Sequence, residues 1–119
     1  MYTVMIVEDE PHILNYMKRK IAPIKDLELI GSFLSPTEVL RAFEQGEQPD
    51  LVFLDVEMPE MTGIELAHQL LNQQQNLIII FTTAHRHSIL DDFKNKRVSC
   101  LLKPIVTKDI QRCLDAFKE

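Results

Sequence analysis

Five short apolar segments divide this chain, and stretches of mixed composition separate them. The apolar segments are Tyr2–Val7, Leu29–Phe33, Leu51–Leu54, Leu77–Thr82 and Val98–Leu102. Most are continuous rather than alternating, and they are rich in Val, Ile, Leu and Phe. That pattern is typical of parallel strands that are covered on both faces of a sheet. The sequence therefore predicts five buried strands, numbered 1 to 5 in chain order.

The segments that follow these strands have the apolar spacing of amphipathic helices. The apolar positions are Ile13, Leu14, Met17 and Ile21, then Val39, Leu40 and Phe43, then Ile64, Leu66, Ala67, Leu70 and Leu71, then Ile89, Leu90 and Phe93, and finally Ile110, Cys113, Leu114 and Phe117. Strand and helix alternate with short connections, which implies right-handed crossovers. We therefore predict an α/β fold: a flavodoxin-like (βα)5 doubly wound five-stranded parallel sheet with strand order 2-1-3-4-5.

Helix starts are marked by residues that cap or begin a first turn. Pro11 suits the first turn of the first helix. Ser35-Pro36-Thr37-Glu38 predicts a capping box at the second helix, and Thr62-Gly63-Ile64-Glu65 predicts another at the third. Thr107 is predicted to cap the last helix.

Length and composition favour one globular domain. The chain has 119 residues, of which 45% are hydrophobic, and a domain of this size can bury a core without staples. We expect a single domain over residues 1–119, with no output domain in this chain.

Charge and hydropathy exclude several classes of partner. The formal net charge is −5, which disfavours direct contact of this domain with nucleic acid. The apolar runs are too short to span a bilayer, and the first residues lack the basic region of a signal peptide. Two cysteines are too few for a disulfide framework. We therefore expect a cytoplasmic protein with reduced thiols and no membrane contact.

Unusual polar residues collect at the predicted carboxyl ends of the strands. They are Glu8 and Asp9 after strand 1, Asp55 after strand 3, Thr82 and Thr83 at the end of strand 4, and Lys103 after strand 5. In an open α/β sheet, ligands bind outside these ends at the point where strand order reverses. That point lies between strands 1 and 3, so the three acids flank it.

Three neighbouring carboxylates repel one another, and a divalent cation resolves the conflict. Mg²⁺ prefers oxygen ligands and is commonly held by one or two carboxylates together with phosphate oxygens. A lysine and a threonine hydroxyl opposite the acids would meet a phosphoryl group there. Asp55 can itself be the nucleophile that forms an aspartyl-phosphate.

Four motifs together resemble the receiver domains of two-component response regulators. They are Glu8-Asp9, LVFLDVEMPEMTG over 51–63, IIIFTTA over 78–84 and LLKP over 101–104. The resemblance covers the whole chain, in order. It implies that Asp55 accepts a phosphoryl group from a phosphohistidine of a sensor histidine kinase.

The resemblance also implies a set of metal ligands. Asp9 and Asp55 would bind Mg²⁺ directly, Glu8 would help through water, and the backbone carbonyl of Glu57 would be a further ligand.

The phosphoryl group itself would meet residues of strands 4 and 5. Thr83, followed by Ala84, would be the switch hydroxyl, and Lys103 would pair with the phosphoryl oxygens. Lys103–Pro104 would be the family's cis peptide bond. Pro59 and Gly63 are expected to have structural roles.

Three features depart from the family pattern. Cys100 stands where receivers usually carry an aromatic residue, three positions before the lysine, so any signal through strand 5 would work differently. The fourth predicted helix is polar and charged, which suits a private partner. His85, with Glu57, is predicted to tune access of water to the acyl-phosphate.

The leading prediction is a phosphorylation-activated signalling switch that controls an effector, most often a transcription regulator. It would catalyse only its own phosphorylation and dephosphorylation and would turn over no external metabolite. The change at Asp55 would be transmitted to the face formed by predicted helix 4, strand 5 and helix 5, which is a candidate for phosphorylation-dependent homodimerisation.

Other functions stay open at this stage. A degenerate receiver would serve only as a phosphate-independent interaction module. A phosphohydrolase that uses an aspartyl-phosphate would usually carry its nucleophile after the first strand, whereas Asp55 follows the third. A flavin-binding protein would need a phosphate-binding loop after the first strand, and this chain has no such loop. Taken singly, Asp55 also suits a turn, and Glu8-Asp9-Glu10 also suits a helix N-terminus.

Overall fold

Strands and helices alternate along the described chain. The computed structural model describes residues 1–85, 93 and 96–117. Its elements are β1 (Tyr2–Val7), α1 (Pro11–Ile21), β2 (Leu27–Phe33), α2 (Pro36–Glu44), β3 (Leu51–Asp55), α3 (Gly63–Gln73), β4 (Ile78–Thr83), β5 (Val98–Leu102) and α4 (Thr107–Phe117). All five predicted strands are present, and β2 begins two residues earlier than predicted.

The fourth predicted helix falls between β4 and β5. Ile89 and Leu90, on which it rests, lie outside the described residues, so α4 here is the fifth helix of the sequence-based prediction. Phe93 is described and is only 4% exposed. Its ring stacks on His68 at 4.6 Å between centroids and lies 5.4 Å from the ring of Phe81. Phe93 itself therefore packs against β4 and α3.

The five strands form one parallel sheet in the order β2-β1-β3-β4-β5, as predicted. β3 is central and buried along its whole length. Its residues alternate between two apolar clusters, with Leu51 and Phe53 on one face and Val52 and Leu54 on the other. Because both faces are covered, the strand reads as a continuous apolar run.

In the part of the chain that the structure describes, two helices cover each face of the sheet. α1 and α4 contribute Leu14, Met17, Ile110 and Leu114 to one cluster. α2 and α3 cover the opposite face, where Leu70 is fully buried. The apolar stripes read from the sequence are therefore the buried faces of these helices.

The observed helix caps differ in part from those predicted. Ser35 Oγ accepts from the backbone N–H of Glu38 at 3.3 Å, but the Glu38 carboxylate accepts from the backbone N–H of Leu34 instead of Ser35. The prediction that Thr107 caps the last helix is wrong. α4 begins at Thr107, and its hydroxyl donates to the carbonyl of Lys20 at 2.9 Å, which ties α4 to α1.

The capping box at α3 is complete. Thr62 Oγ1 accepts from the backbone N–H of Glu65 at 3.1 Å, and the Glu65 carboxylate accepts from the backbone N–H of Thr62 at 3.1 Å. These bonds fix the first turn of α3, which follows the loop after Asp55.

Loss of this cap has a measurable cost. We expect Thr62→Ala to lower the free energy of unfolding by about 1 kcal/mol, because the backbone N–H of Glu65 loses its side-chain acceptor and the Glu65 carboxylate loses the bond from the Thr62 hydroxyl. Urea denaturation measures the change. Thr37→Ala, an exposed threonine in the first turn of α2, is the matched control, with an expected change within about 0.5 kcal/mol. Equal effects of the two substitutions would contradict the assigned role.

Among the described helices, none is both long and apolar enough to cross a membrane.

Candidate functional site

The carboxyl ends of β1, β3, β4 and β5 meet at one edge of the sheet. Val7 pairs with Leu54 across β1 and β3, so Glu8 and Asp55, the next residue of each chain segment, are brought side by side. Asp55 in turn pairs with Thr82 of β4, and Thr83 pairs with Leu102 of β5. The point where strand order reverses, between β1 and β3, is therefore the edge at which Glu8 and Asp55 lie.

Three carboxylates lie together at this edge. Glu8, Asp9 and Asp55 each place a carboxylate oxygen within 4.8 Å of the others. Glu8 is 1% exposed and Asp55 is 2% exposed, whereas Asp9 is partly exposed. Two nearly buried carboxylates this close together favour a neighbouring cation, because burial of an unpaired charge costs several kcal/mol.

The Lys103 ammonium supplies part of that positive charge. Its Nζ donates to Glu8 Oε1 at 3.0 Å and to Asp55 Oδ1 at 3.2 Å. Burial by itself would lower the pKa of Lys103, but the hydrogen bond to Glu8 and the charges of Asp55 and Glu8 outweigh burial and raise that pKa. Lys103 therefore stays cationic and bridges the ends of β1 and β3.

One lysine does not neutralise the acids. Burial, and next the charge of Glu8, raise the pKa of Asp55 to about 7, although Lys103 opposes the shift. Burial likewise raises the pKa of Glu8 against the influence of Lys103. The site thus holds more negative charge than its own lysine balances.

These residues fit a hard divalent cation. The donors are carboxylate oxygens only, and the raised pKa values of Glu8 and Asp55 indicate that further positive charge would stabilise their ionised forms. Mg²⁺ selects such oxygen ligands and retains several waters. Asp9 and Asp55 are the residues that would hold it, with Glu8 beside them. Glu57 as a backbone-carbonyl ligand stays a prediction.

The segment after β5 positions Lys103. Its backbone N–H donates to the carbonyl of Thr83 at 2.8 Å, and the Lys103–Pro104 peptide bond is cis, as expected. The Tyr16 hydroxyl of α1 donates to the Ile105 carbonyl at 2.7 Å. The backbone of Lys103 is therefore hydrogen-bonded to β4. The loop that follows Lys103 is hydrogen-bonded to α1.

Thr83 is the fully buried threonine at the end of β4. Its Oγ1 donates to the Glu57 carboxylate, at 3.1 Å from Oε2 and 3.3 Å from Oε1, and accepts from the backbone N–H of His85 at 3.1 Å. Ala84 and the His85 side chain are exposed beside it. A tuning role for His85 stays a prediction.

Gly63 allows close approach of α3 to the end of β3. A Cβ atom at this position would come against the carbonyl oxygen of Asp55 and within 3.0 Å of the Val56 Cα. The Gly63 N–H donates to the Val56 carbonyl at 2.9 Å. The structural role expected for Gly63 is therefore this close backbone approach. Pro59 is exposed in the intervening loop, and its structural role stays a prediction.

Cys100 lies in β5, partly buried against the cluster that α2 and α3 cover. It pairs in register with Phe81 of β4. Burial raises the pKa of its thiol, so it remains a neutral, small apolar side chain where an aromatic one was expected from the family pattern.

Two contacts were absent from the sequence-based account. The first is the direct pairing of the buried Glu8 carboxylate with Lys103. Assistance by Glu8 to a metal ion through water stays a prediction. The Glu57 side chain, as opposed to its backbone, accepts the Thr83 hydroxyl. Adjacency of β3 and β4 was the available signal for the second contact, because Glu57 follows the end of β3 and Thr83 ends β4.

Comparisons with known proteins agree with this geometry. The family model of the response regulator receiver domain matches residues 4–115. The chain is 33% identical over 119 residues to an uncharacterized response regulatory protein of Vibrio cholerae, covering 99% of this chain and 45% of that protein. It is 29% identical to the transcriptional regulatory protein BtsR of Salmonella typhimurium, covering 100% of this chain and 49% of BtsR. The chain thus spans about half the length of these curated relatives.

The same fold occurs among solved structures. The isolated REC domain of RcsB from Salmonella enterica serovar Typhimurium, determined in the presence of phosphomimetic BeF3−, superposes with a TM-score of 0.83 at 21% sequence identity. The aligned region covers 98% of this chain and 88% of that domain. The fold, the acidic cluster, the position of Lys103 and the match to the family model all agree. The chain therefore belongs to the response regulator receiver domain family.

Proposed function

We propose that this domain is a phosphorylation-activated switch that accepts a phosphoryl group on Asp55 and thereby controls an effector. The observation that carries the proposal is the position of Asp55: nearly buried, beside Glu8 and Asp9, and 3.2 Å from the Lys103 ammonium. Such an arrangement offers a carboxylate nucleophile and cationic compensation for an incoming phosphate.

The chemistry assigns one step to each residue. An Asp55 carboxylate oxygen forms the new P–O bond while the P–N bond of a donor phosphohistidine breaks and the released imidazole takes up a proton. Lys103 then donates to a phosphoryl oxygen, and the Thr83 hydroxyl donates to another. A bound Mg²⁺ would supply positive charge that offsets the developing phosphate charge.

The partners follow from this chemistry and from the family. The phosphoryl donor is a sensor histidine kinase, and the target is an effector domain or protein, in keeping with relatives named as transcriptional regulators. Phosphorylation-dependent homodimerisation uses the face predicted from the sequence, of which β5 and α4 are described here. Direct nucleic-acid and membrane contacts are not part of this proposal, and we place the protein in the cytoplasm, acting on no external substrate.

Phosphotransfer chemistry tests the proposal. Incubation with a small phosphodonor and Mg²⁺ is expected to add the mass of one phosphoryl group to the wild-type protein and none to Asp55→Asn, because the amide is not a nucleophile. Intact-mass spectrometry reads the result. Asp50→Asn, at the opposite end of β3, serves as a control and is expected to be modified like wild type. A protein that gains no mass with any donor would be a degenerate receiver.

A further inference from the structure

The Thr83 hydroxyl is already engaged in this structure. Its Oγ1 lies 3.1 Å and 3.3 Å from the two carboxylate oxygens of Glu57. The backbone N–H of His85 donates to the same Oγ1 at 3.1 Å, so the hydroxyl accepts from one partner and donates to the other. We propose that Glu57 is a positioning residue that withholds the Thr83 hydroxyl from the phosphoryl group and so opposes activation. This inference rests on the proposed function.

The opposition follows from proton count. A threonine hydroxyl carries one proton and can make one full donor bond at a time. Carboxylates cannot donate when ionised, so the Thr83 proton must be the one shared with Glu57. A phosphoryl oxygen on Asp55 is also acceptor-only when ionised. The two acceptors therefore compete for the same proton, and a gain for one is a loss for the other.

Burial and charge explain why this competition is reversible. Thr83 is fully buried and is fixed at the end of β4, whereas Glu57 is exposed in the loop after β3. The exposed Glu57 carboxylate is accessible to water, which can solvate it when it leaves Thr83. A phosphoryl group on Asp55, two residues away along the chain, adds negative charge that repels Glu57 and attracts the hydroxyl proton.

This assignment places a control element of the switch in the loop after β3 and not on β5. The side chain at position 100 is a small thiol, partly buried in the core. Thr83 is instead held by Glu57, from the loop that directly follows the phosphoacceptor. Phosphorylation and release of Thr83 are therefore linked through one short segment, Asp55 to Glu57.

A double-mutant cycle on Glu57 and Thr83 tests the inference. Binding of BeF3− in the presence of Mg²⁺ is measured by titration calorimetry for wild type, Glu57→Ala, Thr83→Val and the double variant. Glu57→Ala is expected to tighten binding roughly tenfold when Thr83 is present, since a hydrogen bond to a charged acceptor is released. In the Thr83→Val background only the charge effect remains, roughly twofold to threefold.

Two further variants separate the hydrogen bond from general effects. Glu57→Gln keeps an acceptor oxygen and is expected to retain part of the restraint, with affinity between wild type and Glu57→Ala. Glu60→Gln removes an exposed charge from the same loop and is expected to match only the small charge effect. In the absence of BeF3−, the Thr83 χ1 coupling constants should change in Glu57→Ala and remain unchanged in Glu60→Gln.

Three outcomes would overturn the inference. An equal fold-change in both Thr83 backgrounds would mean that Glu57 acts by charge alone. Weaker binding by Glu57→Ala would mean that the contact assists activation. If neither the wild type nor any variant binds BeF3−, the proposed function is overturned as well. If the wild type binds normally but the cycle shows no coupling, only the role of Glu57 is overturned.

Discussion

Gly63→Ala is expected to lower the free energy of unfolding by about 2 kcal/mol and to weaken Mg²⁺ and BeF3− binding. The new Cβ would meet the Asp55 carbonyl oxygen and the Val56 Cα, which belong to the backbone and cannot rotate away. Either the end of β3 or the start of α3 must move, and a shift of β3 displaces Asp55 directly.

Two opposing effects decide the sign of this substitution. Alanine is the better helix former, by up to about 1 kcal/mol, and this alone would predict stabilisation. Overpacking against fixed backbone costs about 1–3 kcal/mol, so the clash dominates. Urea denaturation gives the stability change, and calorimetry gives the binding change.

Gly46→Ala is the matched control for Gly63. Gly46 has a φ of 99° and open space around its Cβ position, so the substitution costs about 1 kcal/mol through backbone strain alone. We expect its binding of BeF3− to equal that of wild type. If Gly63→Ala were as stable as wild type, the close approach between α3 and β3 would not be the constraint described above.

Asp55→Asn is expected to raise the free energy of unfolding by roughly 2–4 kcal/mol at pH 8 without divalent cations. The folded protein holds the Asp55 pKa at about 7, mainly through burial and then through the charge of Glu8. Above that pH, the folded wild-type protein carries a buried negative charge on Asp55 that Lys103 balances only in part. The amide removes this charge while Lys103 keeps its bond to Glu8.

The pH dependence has a definite sign. Because the Asp55 pKa is higher in the folded state, the fold binds a proton that the unfolded chain has released. The stabilisation from this proton is complete below the unfolded pKa of about 4 and is lost as the pH rises through about 7. The stability difference between Asp55→Asn and wild type should therefore shrink toward zero near pH 4 and grow to its full size by pH 8.

Mg²⁺ should reverse part of this difference. A ligand present at ten times its dissociation constant stabilises the folded state by about 1.4 kcal/mol, and the wild type offers the fuller ligand set. Glu60→Gln, which removes an exposed carboxylate, is expected to change stability by less than about 0.5 kcal/mol at pH 8. An Asp55→Asn variant less stable than wild type at pH 8 would show that Lys103 alone balances the buried acids.

The sheet order could be predicted because each strand carries its own signal. Strands buried on both faces, such as Leu51–Asp55, read as unbroken apolar runs, and the intervening helices show regular stripes. Strand order 2-1-3-4-5 then places Glu8 and Asp55 side by side. The acidic cluster and the position of Lys103 follow from topology more than from any local motif.

Side-chain partners were harder to foresee than side-chain locations. The hydroxyl of Thr107 donates to Lys20 on another helix, a contact that no local capping pattern encodes. Glu57 accepts from Thr83 because the ends of β3 and β4 are adjacent, and that choice depends on rotamers. The close backbone approach at Gly63 depends on how α3 packs over the end of β3. In the sequence, the only sign of this packing is the glycine itself.

Chemical trapping at Asp55 tests the central claim most directly. The protein is treated with a phosphodonor and Mg²⁺, reduced with borohydride, and digested, and the peptide containing residues 51–63 is sequenced by mass spectrometry. An aspartyl-phosphate is reduced to homoserine, so we predict homoserine at position 55 only when the phosphodonor is present. An unchanged Asp55, or conversion at another acid such as Asp9, would contradict the account.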